Sequence, residues 1–212
     1  MTESIAGIQI PDTALVREIT EYIRDTEDEL LFNHSRRVFL FGSLMGRERG
    51  LDVDAELLYA GAMFHDIGLT AGYRSSQLRF EVDGANAARD FLLERGIEPR
   101  RAENTWLSIA LHTTPGVPEF LSPEVALVTA GVETDVLGIW YRHIGDQERA
   151  AIVEAHPRPQ FKTRILKAFT DGNAHRPEST FGNVNADVLS RYMPDFVRED
   201  FVDVILNSDW PE

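Results

Sequence analysis

The chain has 212 residues, 43% apolar and 26% charged, with 35 acidic against 21 basic side chains and a formal charge of −14. Length and composition suit one globular domain that buries its own core, and no stretch approaches the ~20 apolar residues of a membrane span. The negative balance repels polyanions, so nucleic acid is not an expected partner. Cysteine is absent, and the start MTESIAGIQIPDT has neither a basic segment nor an apolar run, so a cytoplasmic location is expected.

Helical periodicity runs through nearly the whole chain, which predicts an all-α fold: a single-domain helical bundle with almost no strand. Pro11 and Asp12 open a first helix that reaches residue 23. A second covers residues 29–49 and stops at Gly50, and a third covers residues 54–68. Residues 73–78 read as a loop, and residues 82–95 as a helix closed by Gly96. Pro99 opens the next helix, which ends before Pro115, and Ser122, Pro123 and Glu124 begin one that reaches Gly138. Shorter helices follow over residues 147–155, 159–171, 186–192 and 197–207. Residues 1–27 are expected to pack as a helix and extension on a domain of residues 28–212.

Three of these helices carry an ionisable group inside an apolar stripe. In the second, Leu30, His34, Val38 and Phe41 share a face. A lone buried histidine bonded to a carbonyl explains that as well as a ligand does. The third contains AGAMFHDIGLT, in which Leu58, Ala62 and His65 line up and Asp66 borders the same face. A carboxylate is poorly placed at a helix carboxyl end, where the dipole is negative, unless a cation is near. In the helix after Ser122, Val128, Val132, Asp135 and Ile139 share a face. There an arginine supplied by another element and a cation are alternative partners for the carboxylate, because a buried one without a partner protonates or is costly. Together the two histidines and two carboxylates point to a shared metal held by His34, His65, Asp66 and Asp135. Such nitrogen and oxygen donors suit one divalent transition metal ion, Zn foremost, with Mn, Fe, Co and Ni as alternatives.

The ordered set His34, His65-Asp66, Asp135 on helices resembles the HD superfamily of metal-dependent phosphohydrolases. The blocks LLFNHSRRV, AMFHDIG, RFEVDGA, IALHTTPG and AGVETD, spread over residues 30–138, resemble its cyanamide hydratase-like branch more closely. The resemblance implies an all-α, HD-type helical domain around a mononuclear metal site with those four ligands. It also implies an enzyme that uses metal-activated water to hydrate a nitrile such as cyanamide to urea. An HD phosphohydrolase of a nucleotide or other small phosphate ester is the alternative, and a binding module without turnover is a third reading. Two-metal members use extra histidines between the HD pair and the last aspartate, where this chain has only His112.

His112 is the candidate acid or substrate contact beside Asp66, unless it is a helix-end histidine bonded to backbone. Glu81, Arg79 and Thr113 are candidate substrate contacts, although helix capping explains Glu81 equally well and Thr113 with Thr114 suits a turn cap. A phosphate ester would need cations, for which Arg36, Arg37, Arg74 and Arg79 are available. Arg36 and Arg37 otherwise read as a solvated helix face or an ion pair. His143, His156 and His175 are expected in solvent, and Phe196, Phe201 and Trp210 in the core. The expected partner is a small-molecule substrate, with neither nucleic acid nor membrane; a homo-oligomer is left open.

Overall fold

The computed structural model describes residues 3–210. It is built of helices α1 (Ala14–Thr26), α2 (Glu29–Glu48), α3 (Ala55–Phe64), α4 (Phe80–Glu94), α5 (Pro99–Ala110), α6 (Pro123–Val132), α7 (Asp146–Ala155), α8 (Phe161–Asn173), α9 (Asn185–Tyr192) and α10 (Phe201–Leu206). The predicted all-α class holds, with one small addition: β1 (Ser4–Ile5) and β2 (Ile8–Gln9) form an antiparallel pair. No helix among the described residues is long and apolar enough to cross a membrane.

Local chemistry sets the helix starts. Thr13, Asp28 and Asp54 each accept a hydrogen bond from the first turn of α1, α2 and α3, which satisfies amides that have no partner within the helix. Helix α2 is the central post and packs against α3 and α6. At Gly131 the backbone of α6 lies against the Val38 carbonyl, leaving no room for a Cβ. That close approach brings the segment after α6 alongside His34.

Two helices end differently from expectation, and both differences bear on the site. The third α-helix stops at Phe64 and passes into a 3-10 turn, Ile67–Leu69, instead of continuing to Gly68. Gly68 is pressed against the backbone of Phe80 with no space for a side chain. Its carbonyl also accepts from Arg176 Nη2 at 2.6 Å, so the segment is tied to its neighbours instead of to another helical turn. The buried Arg176 further bonds the Gly172 and Leu78 carbonyls and pairs with Asp83. The C-terminal helices are thereby clamped to the segment carrying the His65-Asp66 pair. Helix α6 ends at Val132 and widens into a π turn over Glu133–Leu137, closed by Gly138 in the left-handed region at φ 70°. This puts Asp135 in a rare helical geometry that recurs at functional sites.

The C-terminal and surface expectations are also corrected. Only Phe201–Leu206 of the segment 197–207 is helical, and Phe201 and Trp210 are 66% and 86% exposed instead of buried. Within α10 only Asp203 is charged, and Phe201, Val204 and Ile205 share a face at helical spacing, yet the structure leaves that face exposed. His156, expected in solvent, is buried. Arg36 Nε donates to its Nε2 at 3.3 Å, and the same guanidinium reaches Tyr59 Oη and Glu3 at 2.8 Å.

Burial, and then the Arg36 and Arg37 charges, push the His156 imidazole down to about 4. The unfolded chain therefore takes up a proton near pH 6.5 that the folded chain resists until about pH 4. The stability this residue contributes is complete above pH 6.5 and is lost progressively as pH falls toward 4. A His156→Gln variant keeps an acceptor for Arg36 and cannot titrate, so its unfolding midpoint should fall less steeply between pH 7 and pH 4.5 than that of the native chain.

Candidate metal centre

Three histidines approach one point from different elements: His34 from α2, His65 from the end of α3 and His112 from just beyond α5. In each the outer ring nitrogen is tied to an acceptor. His34 Nδ1 donates to Asp135 Oδ2 at 2.6 Å, His65 Nδ1 to the Ala62 carbonyl at 2.8 Å, and His112 Nδ1 to the Ile109 carbonyl at 2.6 Å. Fixing Nδ1–H in this way leaves Nε2 with its lone pair directed inward. His34 Nε2 and His65 Nε2 lie 3.2 Å apart. Asp66 Oδ2 is 3.3 Å from His65 Nε2 and 3.6 Å from His34 Nε2, while Oδ1 is 3.8 Å from His112 Nε2. One donor atom from each of His34, His65 and Asp66 lies within 4.8 Å of the others, and all three residues are buried.

Electrostatics within the cluster are set by burial against charge. Burial pushes the Asp66 carboxyl up, but the charge of His65 beside it wins and holds it below the usual carboxylate range. Burial pushes His65 down, and Asp66 more than offsets this, so its imidazole is raised. His34 is lowered by burial, with Asp135 opposing. Burial and then His65 push His112 to about 4, so it is neutral near pH 7.

The donor set fits a divalent metal. Among the described residues neither oxygen of Asp66 has a hydrogen-bond partner although both are buried, and the 3.3 Å contact with His65 is an ion-pair distance without hydrogen-bond alignment. A buried carboxylate left this way is costly. A cation among His34, His65 and Asp66 would remove that cost, and two imidazole nitrogens with a carboxylate oxygen are ligands of the kind transition metals take.

Asp135, expected as the fourth ligand, lies outside this trio. Its carboxylate sits behind His34, with Oδ1 2.9 Å from Arg37 Nε and Oδ2 2.9 Å from Arg37 Nη2. Arg158 Nε approaches Oδ1 at 3.0 Å. The arginine alternative weighed for this residue is the arrangement found, and the π turn carries the carboxylate to it. Arg37 follows His34 by three positions, on the same side of α2, and that spacing was the available signal. Arg36 and Arg37 are correspondingly buried, not solvated.

Glu81 is fully buried in the first turn of α4 and does not cap it; the cap position is Arg79, with no side-chain cap bond. Glu81 Oε1 accepts from Thr113 Oγ1, from Arg79 Nη2 at 3.2 Å and from Asn185 Nδ2 at 3.2 Å. The structure thus joins three expected substrate contacts to one residue that sequence reasoning missed, Asn185. Glu27 was also missed. It is buried with Oε2 3.3 Å from Ser35 Oγ, and burial, followed by the charge of Asp66, pushes its carboxyl well up. No local pattern marked either residue.

Replacing His65 or Asp66 by alanine should remove bound metal, since a small site seldom survives loss of a ligand. Asp135→Asn should retain it with affinity weakened roughly 10- to 100-fold, the usual effect of disturbing a partner that orients a ligand. Metal analysis after dialysis against graded chelator separates the two results.

The HD-domain family model matches residues 31–160, which include His34, the His65-Asp66 pair, His112 and Asp135. No curated protein gives a match to the chain. The match covers more than half of the sequence and spans the helices that bring the buried imidazoles to Asp66, and on that basis the protein belongs to the HD-domain family, whose members are generally metal-dependent hydrolases.

Proposed function

We propose that the protein adds water to a small uncharged substrate, most like hydration of a nitrile such as cyanamide to urea, with one divalent ion, foremost zinc, held by His34, His65 and Asp66. The observation that carries this reading is the sign of the groups around the cluster. Asp66 and Glu81 both have buried oxygens without partners among the described residues, and His112 is neutral there. Arg37 pairs with Asp135, Arg36 with Glu3, and Arg79 with Glu81 through Nη2 alone, its buried Nε having no partner among the described residues. Arg74 is exposed. A phosphate ester brings negative charge and needs free cations facing it, so this wall favours a substrate without one.

A divalent ion at these ligands would supply water activation, lowering the pKa of bound water toward ~7. The chain itself supplies orientation and proton handling. Hydrogen bonds at Nδ1 fix the rings of His34 and His65, and Asp66 completes the donor set. His112 keeps Nδ1–H on the Ile109 carbonyl and presents Nε2 as a base. It accepts a proton from the attacking water and returns it to the nitrile nitrogen, while oxygen bonds to carbon. The resulting imidic acid becomes the amide by moving one proton from oxygen to nitrogen, and atoms balance with water as the only co-substrate. The near-complete burial of the cluster restricts the substrate to a small molecule.

Zinc-loaded protein should form urea from cyanamide and release little phosphate from nucleotides; the reverse result selects the phosphohydrolase reading. His112→Ala should retain metal while lowering kcat on the order of 10²- to 10⁴-fold, the range of a lost acid–base group.

A further inference from the structure

Glu81 is the buried group whose chemistry the hydration scheme leaves unused. Its side chain is 1% exposed, yet it carries two unlike oxygens. Oε1 is saturated by Thr113, Arg79 and Asn185, which come from the segment after α5, the entry to α4 and the start of α9. Oε2 has no partner among the described residues. Three donors converging on one oxygen fix the carboxylate plane, so the free oxygen is held in one direction. A buried acceptor left unmade costs more than a made bond gains, and a ligand donor would satisfy it.

The placement says which kind of donor. Thr113 directly follows His112 in the chain, and the charge of Glu81 acts on His112. His112 in turn faces Asp66. Phe80, next to Glu81 in the chain, has its ring 5.6 Å from that of His112, so Glu81 lies beside the imidazole that faces Asp66, and the donors that reach Glu81 all meet Oε1. Oε2 is a buried acceptor without a donor among the described residues, and an N–H group is complementary to it.

We propose that Asn185, Thr113 and Arg79 hold Glu81 so that its free Oε2 receives an N–H of the substrate, making the centre selective for small amino compounds over isosteres lacking that donor. Glu81 is then the specificity-determining contact, and Asn185 is a positioning residue delivered by the C-terminal helices that Arg176 clamps to the domain. The inference rests on the hydratase reading for its substrate but is tested separately from it. A site built to bond a substrate N–H discriminates strongly against the analogue without one, because the acceptor is then left unpaired.

Cyanamide and acetonitrile form a suitable pair, since both are linear nitriles and differ only by NH2 in place of CH3. Binding of acetonitrile to zinc-loaded protein is followed by saturation transfer to its methyl protons, and cyanamide is added as competitor. Cyanamide is expected to bind about 10- to 100-fold more tightly, the range of one hydrogen bond to a charged group. Glu81→Gln and Asn185→Leu should each reduce that preference by about tenfold with unchanged zinc content. Equal affinity for the two nitriles in the native protein, or an undiminished preference in both variants, would overturn the proposal. If the variants fail to fold, the comparison in native protein still decides. Preference without urea formation would retain the Glu81 assignment and reject the hydratase reading; urea formation without preference would do the reverse.

Discussion

Asp66 carries both carboxylate oxygens into the interior, where no hydrogen-bond donor among the described residues meets either of them. Folding brings it there beside two imidazoles whose outer nitrogens are already committed, so the nearby groups can offer charge and lone pairs but little hydrogen bonding. Within the chain alone, a raised His65 and a lowered Asp66 partly compensate one another. A divalent cation satisfies the same arrangement more fully, because it meets the carboxylate and the two inward nitrogens together.

The supporting structure is a set of ties that fix rings and carbonyls. Arg37 spans Asp135, the His156 carbonyl and the Pro157 carbonyl. It thereby links the central helix to the chain beyond the π turn and holds the carboxylate that orients His34. Arg176 makes a comparable tie on the opposite side, joining the Gly68 carbonyl to Asp83 and the C-terminal helices. Each guanidinium is buried and fully engaged, and the planar fork of arginine suits such multipoint contacts. Replacing either by a hydrophobic residue would leave several buried acceptors without donors.

These same ties set where the basic side chains point. Arg37 pairs with Asp135, Arg36 with Glu3 and Arg79 with Glu81. What faces inward is acceptor-rich. The proposed selectivity for a neutral substrate with an N–H group follows from where the positive charges point, not from how many there are.

By itself the sequence determined the helices and the stripes. The apolar periodicity of α2, the Asp28 and Asp54 caps, and the His65-Asp66 pair at the end of a buried helix are local features, written within a few turns of chain. Interactions between residues far apart in sequence determined the rest. Whether Asp135 met a cation or an arginine depended on Arg37 packing across from it. Gly68 ended α3 early because Phe80 and Arg176 crowd it, and Asn185 reached Glu81 only because the C-terminal helices fold back. The apolar residues near the carboxyl end look like core in composition and share a helix face, yet among the described residues no element packs over them. Periodicity reports which side of a helix is buried, but the partner on that side is chosen by packing and electrostatics between distant segments, and that choice turned a list of ionisable residues into a site.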